Sequence, residues 1–283
     1  DVEWLTGYDR LLFFPERDTS PYEHADSHFE VRSQRVEALD MLEHGWHGIL
    51  VTSIGALHDP TTPPGLIGMV SIEVKTGQSM DFRNLITSLV EKGFRRRQVV
   101  SAAGEIAVRG GIVDIFPFGG EHPYRVEFWG DEIESIRTFS TRTQRSIERI
   151  DGFKIIPPDE FVTEAGINSA DEQRISEIEG QFAIELNSVR RAVSGGDRPE
   201  GIEQYLHLVF GIKANVCSYM TPNDTVIVFD RNQCRSILEK RISHAETIWS
   251  RQRHDEPDLP PPEALLPSAD ETMHILSRPS RID

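Results

Sequence analysis

The chain is 283 residues long, with a net charge of −16, 38% apolar residues and 27% charged ones. Domains commonly run to about 100–200 residues, so this length allows two, and the composition is that of a globular protein rather than a disordered one. So acidic a chain suits phosphate backbones poorly as a whole, its apolar runs are too short to span a membrane, and Cys217 and Cys234 are too few for a disulfide scaffold or a four-cysteine zinc site.

The opening, DVEWLTGYDR, has neither a methionine nor an apolar core of signal length. It reads as part of a larger or processed protein, with reduced thiols in the cytoplasm. DRLLFFP is a short apolar run closed by Pro15, and GILVTSI is another, bounded by Gly48 and Gly55. Between them HFEVRSQRVEALDMLEHG carries Val31, Val36, Leu39 and Leu42 at near-helical spacing up to Gly45. Strand, helix and strand of these lengths predict a βαβ unit with a parallel sheet over residues 1–71, interrupted near its end by HDPTTPPG.

From residue 72 the pattern changes. SIEVKTGQ leads to DFRNLITSLVEKG, where Phe82, Leu85, Ile86, Leu89 and Val90 form a helical stripe that opens after Asp81 and stops at Gly93. GFRRRQ holds Arg95, Arg96 and Arg97, the densest basic cluster, which reads as a solvated turn and as the local candidate for nucleic-acid contact. RQVVSAAGEIAVRGGIVDIFP, YRVEFW, DEIESIRTF and ERIDGFKIIPP then alternate at hairpin-like intervals. Residues 72–157 are therefore expected to form an α+β domain, an antiparallel meander with one covering helix.

Beyond PPDEFVTEAGINSAD a long amphipathic helix is predicted over DEQRISEIEGQFAIELNSVRRAV, with Ile175, Ile178, Phe182 and Leu186 on one side. SGGDRPEGIEQYLHLVF is a loop feeding more helix, DTVIVFD a buried-strand candidate, and RNQCRSILEKRISHAETIW a helix. This return to strand–helix alternation predicts that residues 158–283 rejoin residues 1–71, with the meander inserted between them. The acidic, proline-rich HDEPDLPPPEALLPSADE is expected to be extended or partly disordered.

Catalytic signatures are missing. Neither G-x-x-x-x-G-K-[ST] nor G-x-G-x-x-G occurs, so nothing supplies the glycines and lysine that cradle a nucleotide's phosphates. Val226 to Asp230 imitates a magnesium-binding strand, but Arg231 follows where an acid is expected. His24 with His28, and His44 with His47, lack the further ligands of a metal site, and G-x-S-x-G is absent. No catalytic residue, metal or cofactor is expected.

The residues that stand out are Arg109, Arg125 and Trp129. Strand alternation in YRVEFW sends Tyr124, Val126 and Phe128 to one face and Arg125, Glu127 and Trp129 to the other. A bulge at Gly110-Gly111 would place Ile106, Val108, Val113 and Ile115 inward and Arg109 and Asp114 outward. One reading makes Arg109, Arg125 and Trp129 a single exposed patch, since arginine and tryptophan most often carry interface energy and arginine's fork suits carboxylates. The other pairs Arg109 with Asp114, and Arg125 with Glu127 or Glu134, as ordinary surface salt bridges.

AVRGGIVDIFP, HPYRVEFWGDEIESIRTF and TQRS closely resemble the N-terminal UvrB-homology region of the bacterial transcription-repair coupling factor family (Mfd). FFPERDTSPYE with RVEAL, GILVTSIGAL, LVEKGFRR, PPDEF and PEGIEQYLHLVF match in family order. The resemblance implies a degenerate helicase-like (RecA-like) α/β domain in two segments, 1–71 and 158–283, carrying a small inserted α+β domain. That insert would bind the excision-repair protein UvrA, with Arg109 and Arg125 matching the family's interface arginines. Trp129 stands where phenylalanine is more usual, and Ser140 where aspartate is. RNA polymerase and DNA would be engaged only by parts of the parent protein outside this segment, an ATP-dependent DNA translocase among them. A DNA-contacting clamp of a UvrB-like repair helicase, gripping through Arg95 to Arg97 and Arg145, is the alternative. UvrB itself would carry a phosphate loop and a tyrosine-rich hairpin ahead of the meander, and neither is present.

Overall fold

In the computed structural model, the described residues are 10–23, 25, 27–120, 122–160, 169–187, 189–190, 203–256, 258–276 and 281–282. The apolar run Leu11–Phe14 forms a strand (β1) with Phe14 buried and Phe13 outward. Phe29–Glu43 (α1) turns Val36, Ala38 and Leu39 inward. Ile49–Thr52 (β2) then runs parallel to β1, in register from Leu11–Ile49 to Phe14–Thr52. A parallel pair needs a crossover, and α1 supplies it. Arg35 of α1 has no exposed surface; its Nη1 donates to the Pro15 carbonyl at 2.7 Å and its guanidinium lies 4.2 Å from the Phe14 ring centre. Ser53 caps Ile54–His58 (α2), and Leu66–Val70 (α3) follows the prolines.

The chain divides into two compact units, residues 1–66 with 163–283, and residues 67–162. In the first, Ser169–Phe182 (α5; α4 belongs to the second unit, below) ends where Ala183 takes φ +53°, so the helix predicted through Val193 is interrupted. Glu179 accepts from the Leu186 amide at 2.8 Å and pairs with Arg190 at 2.9 Å, fixing the break. The glycine-rich loop predicted at 194–201 lies outside the described residues. After Glu203–Val209 (α6), Val226–Ile227 (β11) pairs in parallel with Arg281–Ile282 (β12). The buried core strand expected at VIVFD is corrected: Ile227 is 62% and Phe229 85% exposed. Asp230, at φ +52°, turns the chain at once into Arg231–Gln252 (α7) and caps the Gln233 amide at 2.9 Å.

The proline-rich tail is also more ordered than its composition suggests. Pro262–Leu265 (α8) and Ala269–Ile275 (α9) fold back, and Leu259, Leu265 and Leu266 join Tyr22 and Ala245 in one buried cluster. Proline-flanked carbonyls, which no helix consumes, become acceptors here. Tyr22 Oη donates to Pro260 O at 2.8 Å and Trp249 Nε1 to Leu259 O at 3.2 Å. Arg241 of α7 bridges Glu16 and Asp59, the latter at 2.7 Å, tying α7 to the segments after β1 and α2.

In the second unit Ile72–Lys75 (β3) precedes Phe82–Glu91 (α4). Asp81 accepts from the Asn84 amide at 2.8 Å at the N-cap, and Gly93 at φ +90° ends the helix. Leu85 and Leu89 are buried, whereas Val90 is nearly half exposed, so the stripe is narrower than predicted. Arg95–Arg97 is a strand (β4) rather than a turn, parallel to Glu105–Arg109 (β5) and at the sheet edge. Ile112–Phe116 (β6), Tyr124–Trp129 (β7), Glu132–Phe139 (β8) and Ser146–Ile150 (β9) complete a six-stranded sheet in sequential order. Gly152–Ile155 (β10) leaves it to pair with β3, splitting the single run predicted there.

Gly110-Gly111 makes no bulge. Arg109 pairs with Ile112 across them, so they are a two-residue hairpin turn, with Gly110 at φ +60°. The bulge lies between β7 and β8, where Glu127 pairs with Ser135 but Phe128 with Ile133. The extra residue, Glu134, lets Ile133 and Ile136 both face inward although they are three apart. Ile106, Val113, Ile115, Val126, Ile133 and Ile136 are all fully buried, and Phe82 of α4 meets Phe128 edge-on at 5.2 Å. The fold is thus mixed α/β, with parallel and antiparallel sheets.

Candidate docking face

The register fixes what shares the sheet's other face. Asp114 stands opposite Arg125, Ile112 opposite both Arg109 and Glu127, and Trp129 two residues beyond Glu127. Arg109, Asp114, Arg125, Glu127 and Trp129 therefore project to one side.

Asp114 is the hub of this face and has no exposed surface. Its Oδ1 accepts from Arg125 Nε at 2.7 Å, and its Oδ2 from Arg125 Nη2 at 2.9 Å and Arg109 Nη2 at 2.7 Å. Arg125 spends its remaining donor edge on the Gln144 carbonyl, at 3.2 Å, and lies over the Phe139 ring. Its side chain is only 14% exposed. The bond to Asp114, against the opposing cost of burial, holds its pKa still further above the ordinary arginine value.

The expectation of three exposed side chains is therefore corrected for Arg125, which is an internal strut. Arg109 remains half exposed, and the Arg109–Asp114 pair of the salt-bridge reading does form. Glu127 goes to Ser135 Oγ at 2.6 Å and Arg137 at 3.0 Å, not to Arg125. Trp129 is 80% exposed. It pairs with Glu132 across the two-residue turn Gly130-Asp131 and lines a shallow depression with Glu132 and Glu134, and Arg149 Nη2 reaches the Glu134 main-chain carbonyl at 3.4 Å, leaving the two carboxylates themselves facing the indole's depression.

Gln144 and Arg137 are members of this face that sequence reasoning missed. Gln144, at φ +59°, donates from its side-chain Nε2 to the carbonyls of Thr141 at 2.7 Å and Val100 at 3.1 Å, while its main-chain carbonyl accepts from Arg125. A residue at the turn between two strands gives no sequence signal for that role. Asp114 did give one: an acid flanked by core isoleucine and valine in IVDIFP, level with arginine once the hairpins are registered.

Arg95, Arg96 and Arg97 are all exposed, on the edge strand away from the β7–β8 turn. Arg97 contacts Glu105 at 3.3 Å. Burial opposes the charge on Glu105, but the Ser101 amide and hydroxyl and the Ala102 amide outweigh it and hold its pKa below the usual value. His24 lies outside the described residues, and His28 bonds Asp18. Among the described residues no cluster of His, Cys, Asp and Glu could hold a metal ion, and no helix is long and apolar enough to cross a membrane.

Residues 72–161 match the family model described as the UvrB interaction domain. The chain is 30% identical to the transcription-repair-coupling factor of Haemophilus influenzae, over 98% of this chain and 24% of that protein. It is 30% identical to the Escherichia coli protein of the same name over 75% of this chain and 18% of the relative. The Mycobacterium tuberculosis one is 39% identical over 50% of this chain and 12% of its own length. The chain thus spans no more than about a quarter of the length of these relatives.

Proposed function

The chain belongs to the transcription-repair coupling factor family, and on that premise we propose that it is a non-catalytic module that recruits UvrA for transcription-coupled nucleotide excision repair. The observation that carries the reading is the exposed Trp129 indole on the same sheet face as the half-exposed Arg109, inside the stretch similar to the UvrB interaction domain. An interface wants an aromatic anchor and a cationic fork held in fixed positions. Asp114 and Arg125 supply the fixing, and Arg109 and Trp129 the contact.

In this reading residues 1–71 and 158–283 are two segments of a degenerate helicase-like domain, supported by the parallel β1–β2 pair with its helical crossover. Residues 72–157 are the inserted UvrA-binding domain. The protein acts in the cytoplasm, and ATP-driven translocation and RNA polymerase binding belong to parts of the parent protein outside this segment. Titration of the chain with UvrA tests it: binding that Arg109→Ala and Trp129→Ala each weaken by about 1–4 kcal/mol is expected, and equal affinity for both variants and the unaltered chain refutes it. A DNA clamp through exposed Arg95 to Arg97 is the competing reading, and steeply salt-dependent DNA binding by the chain would favour it.

A further inference from the structure

We infer that Trp129, Glu132 and Glu134 form a cation-accepting site that takes a lysine or arginine side chain of the docking partner. The inference rests on the UvrA-docking reading and specifies the chemistry of one part of that surface.

Three observations carry it. The indole is 80% exposed and shares a depression with two exposed carboxylates. The other acids of the face, Asp114 and Glu127, are spent on arginines, whereas neither Glu132 nor Glu134 makes an ion pair among the described residues. The site is also held in place: the Gly77 amide donates to Ile133 O at 2.8 Å, the Met80 amide to Asp131 O at 2.7 Å, and the Ile133 amide to Gln78 O at 3.0 Å. A hairpin tip fastened on both sides of Glu132 loses little conformational freedom on binding.

The chemistry selects the occupant. An apolar side chain over the indole would strip water from two carboxylates and return nothing. A cation satisfies both at once, since it is attracted to the ring face, most strongly of tryptophan, and pairs with the flanking acids. The bulge at Glu134 is what makes the arrangement possible, because it keeps Ile133 and Ile136 in the core while Glu132 and Glu134 stay on the solvent side. The docking surface is then two-signed: Arg109 faces a partner acid, and the tryptophan shelf a partner base.

The test is titration of the whole chain with UvrA, comparing E132Q/E134Q, W129F and W129L with the unaltered protein. All three changes lie at exposed positions, and circular dichroism checks that the fold is kept. E132Q/E134Q is expected to weaken binding about fivefold to thirtyfold and flatten its salt dependence. W129F, which keeps a ring face, should lose less than W129L, which keeps only apolar bulk. Unchanged affinity and salt dependence in E132Q/E134Q, or equal binding by W129F and W129L, overturns the cation site while leaving UvrA docking intact. Failure of the unaltered chain to bind UvrA overturns both.

Discussion

Replacing Asp114 with alanine should loosen the sheet from its middle. The carboxylate has no exposed surface and accepts hydrogen bonds from two guanidinium groups, one of which, on Arg125, is only 14% exposed. Removing it leaves Arg125 charged, largely desolvated and short of two hydrogen bonds. Breaking a buried pair in this way costs about 3–5 kcal/mol, while the half-exposed Arg109 bond adds less than about 1 kcal/mol because water screens it. Since Arg125 keeps its contacts with Gln144 and Phe139, the lower end, about 3 kcal/mol, is expected. At about 1.36 kcal/mol per tenfold, amides of β6 and β7 should exchange hydrogen roughly 150-fold faster than in the unaltered chain. Asp114→Ala combined with Arg125→Met should recover much of the protection, because no buried charge is then left alone. Wild-type exchange rates in the single variant would refute the assignment of Asp114 as the hub.

Trp129→Ala should change stability by less than about 0.5 kcal/mol, as befits an exposed side chain, so denaturation curves stay put while UvrA binding falls. Gly104→Ala should cost about 1–3 kcal/mol in a urea titration, since Gly104 sits at φ +77° and a Cβ would lie 2.4 Å from the Phe118 ring. Acidification should weaken the fold through His207, whose burial, helped by Arg17, pushes its pKa from 6.5 to about 4. Between those values the unfolded chain binds a proton that the folded chain refuses, so stability is full above pH 6.5 and falls toward pH 4, by about 3 kcal/mol. His58, also lowered by burial, acts in the same direction, and melting temperatures across that range read the sum.

Local chemistry was legible where one periodicity ruled. The β1–α1–β2 run and the capped helix Phe82–Glu91 follow from apolar spacing, Asp81 and Gly93. It failed where a single residue changes the count. Glu134, the extra residue of the bulge, looks like any acid in a strand, and the glycine pair drew the bulge to the wrong place because glycine serves hairpin turns equally well. VIVFD looked buried because four apolar residues in a row usually are, but Asp230 caps a helix immediately after them. At the candidate site, alternation found the exposed indole and the shared face. It could not tell an arginine that reaches into solvent from one folded onto a buried carboxylate, because that depends on the neighbouring strand's register.

Calorimetric titration of the chain with UvrA, alongside a variant carrying both Arg109→Ala and Trp129→Ala, tests UvrA recruitment most directly. Saturable binding by the unaltered chain, lost in a double variant that melts at the same temperature, is the predicted result. A double variant that binds UvrA as tightly as the unaltered chain would contradict the account.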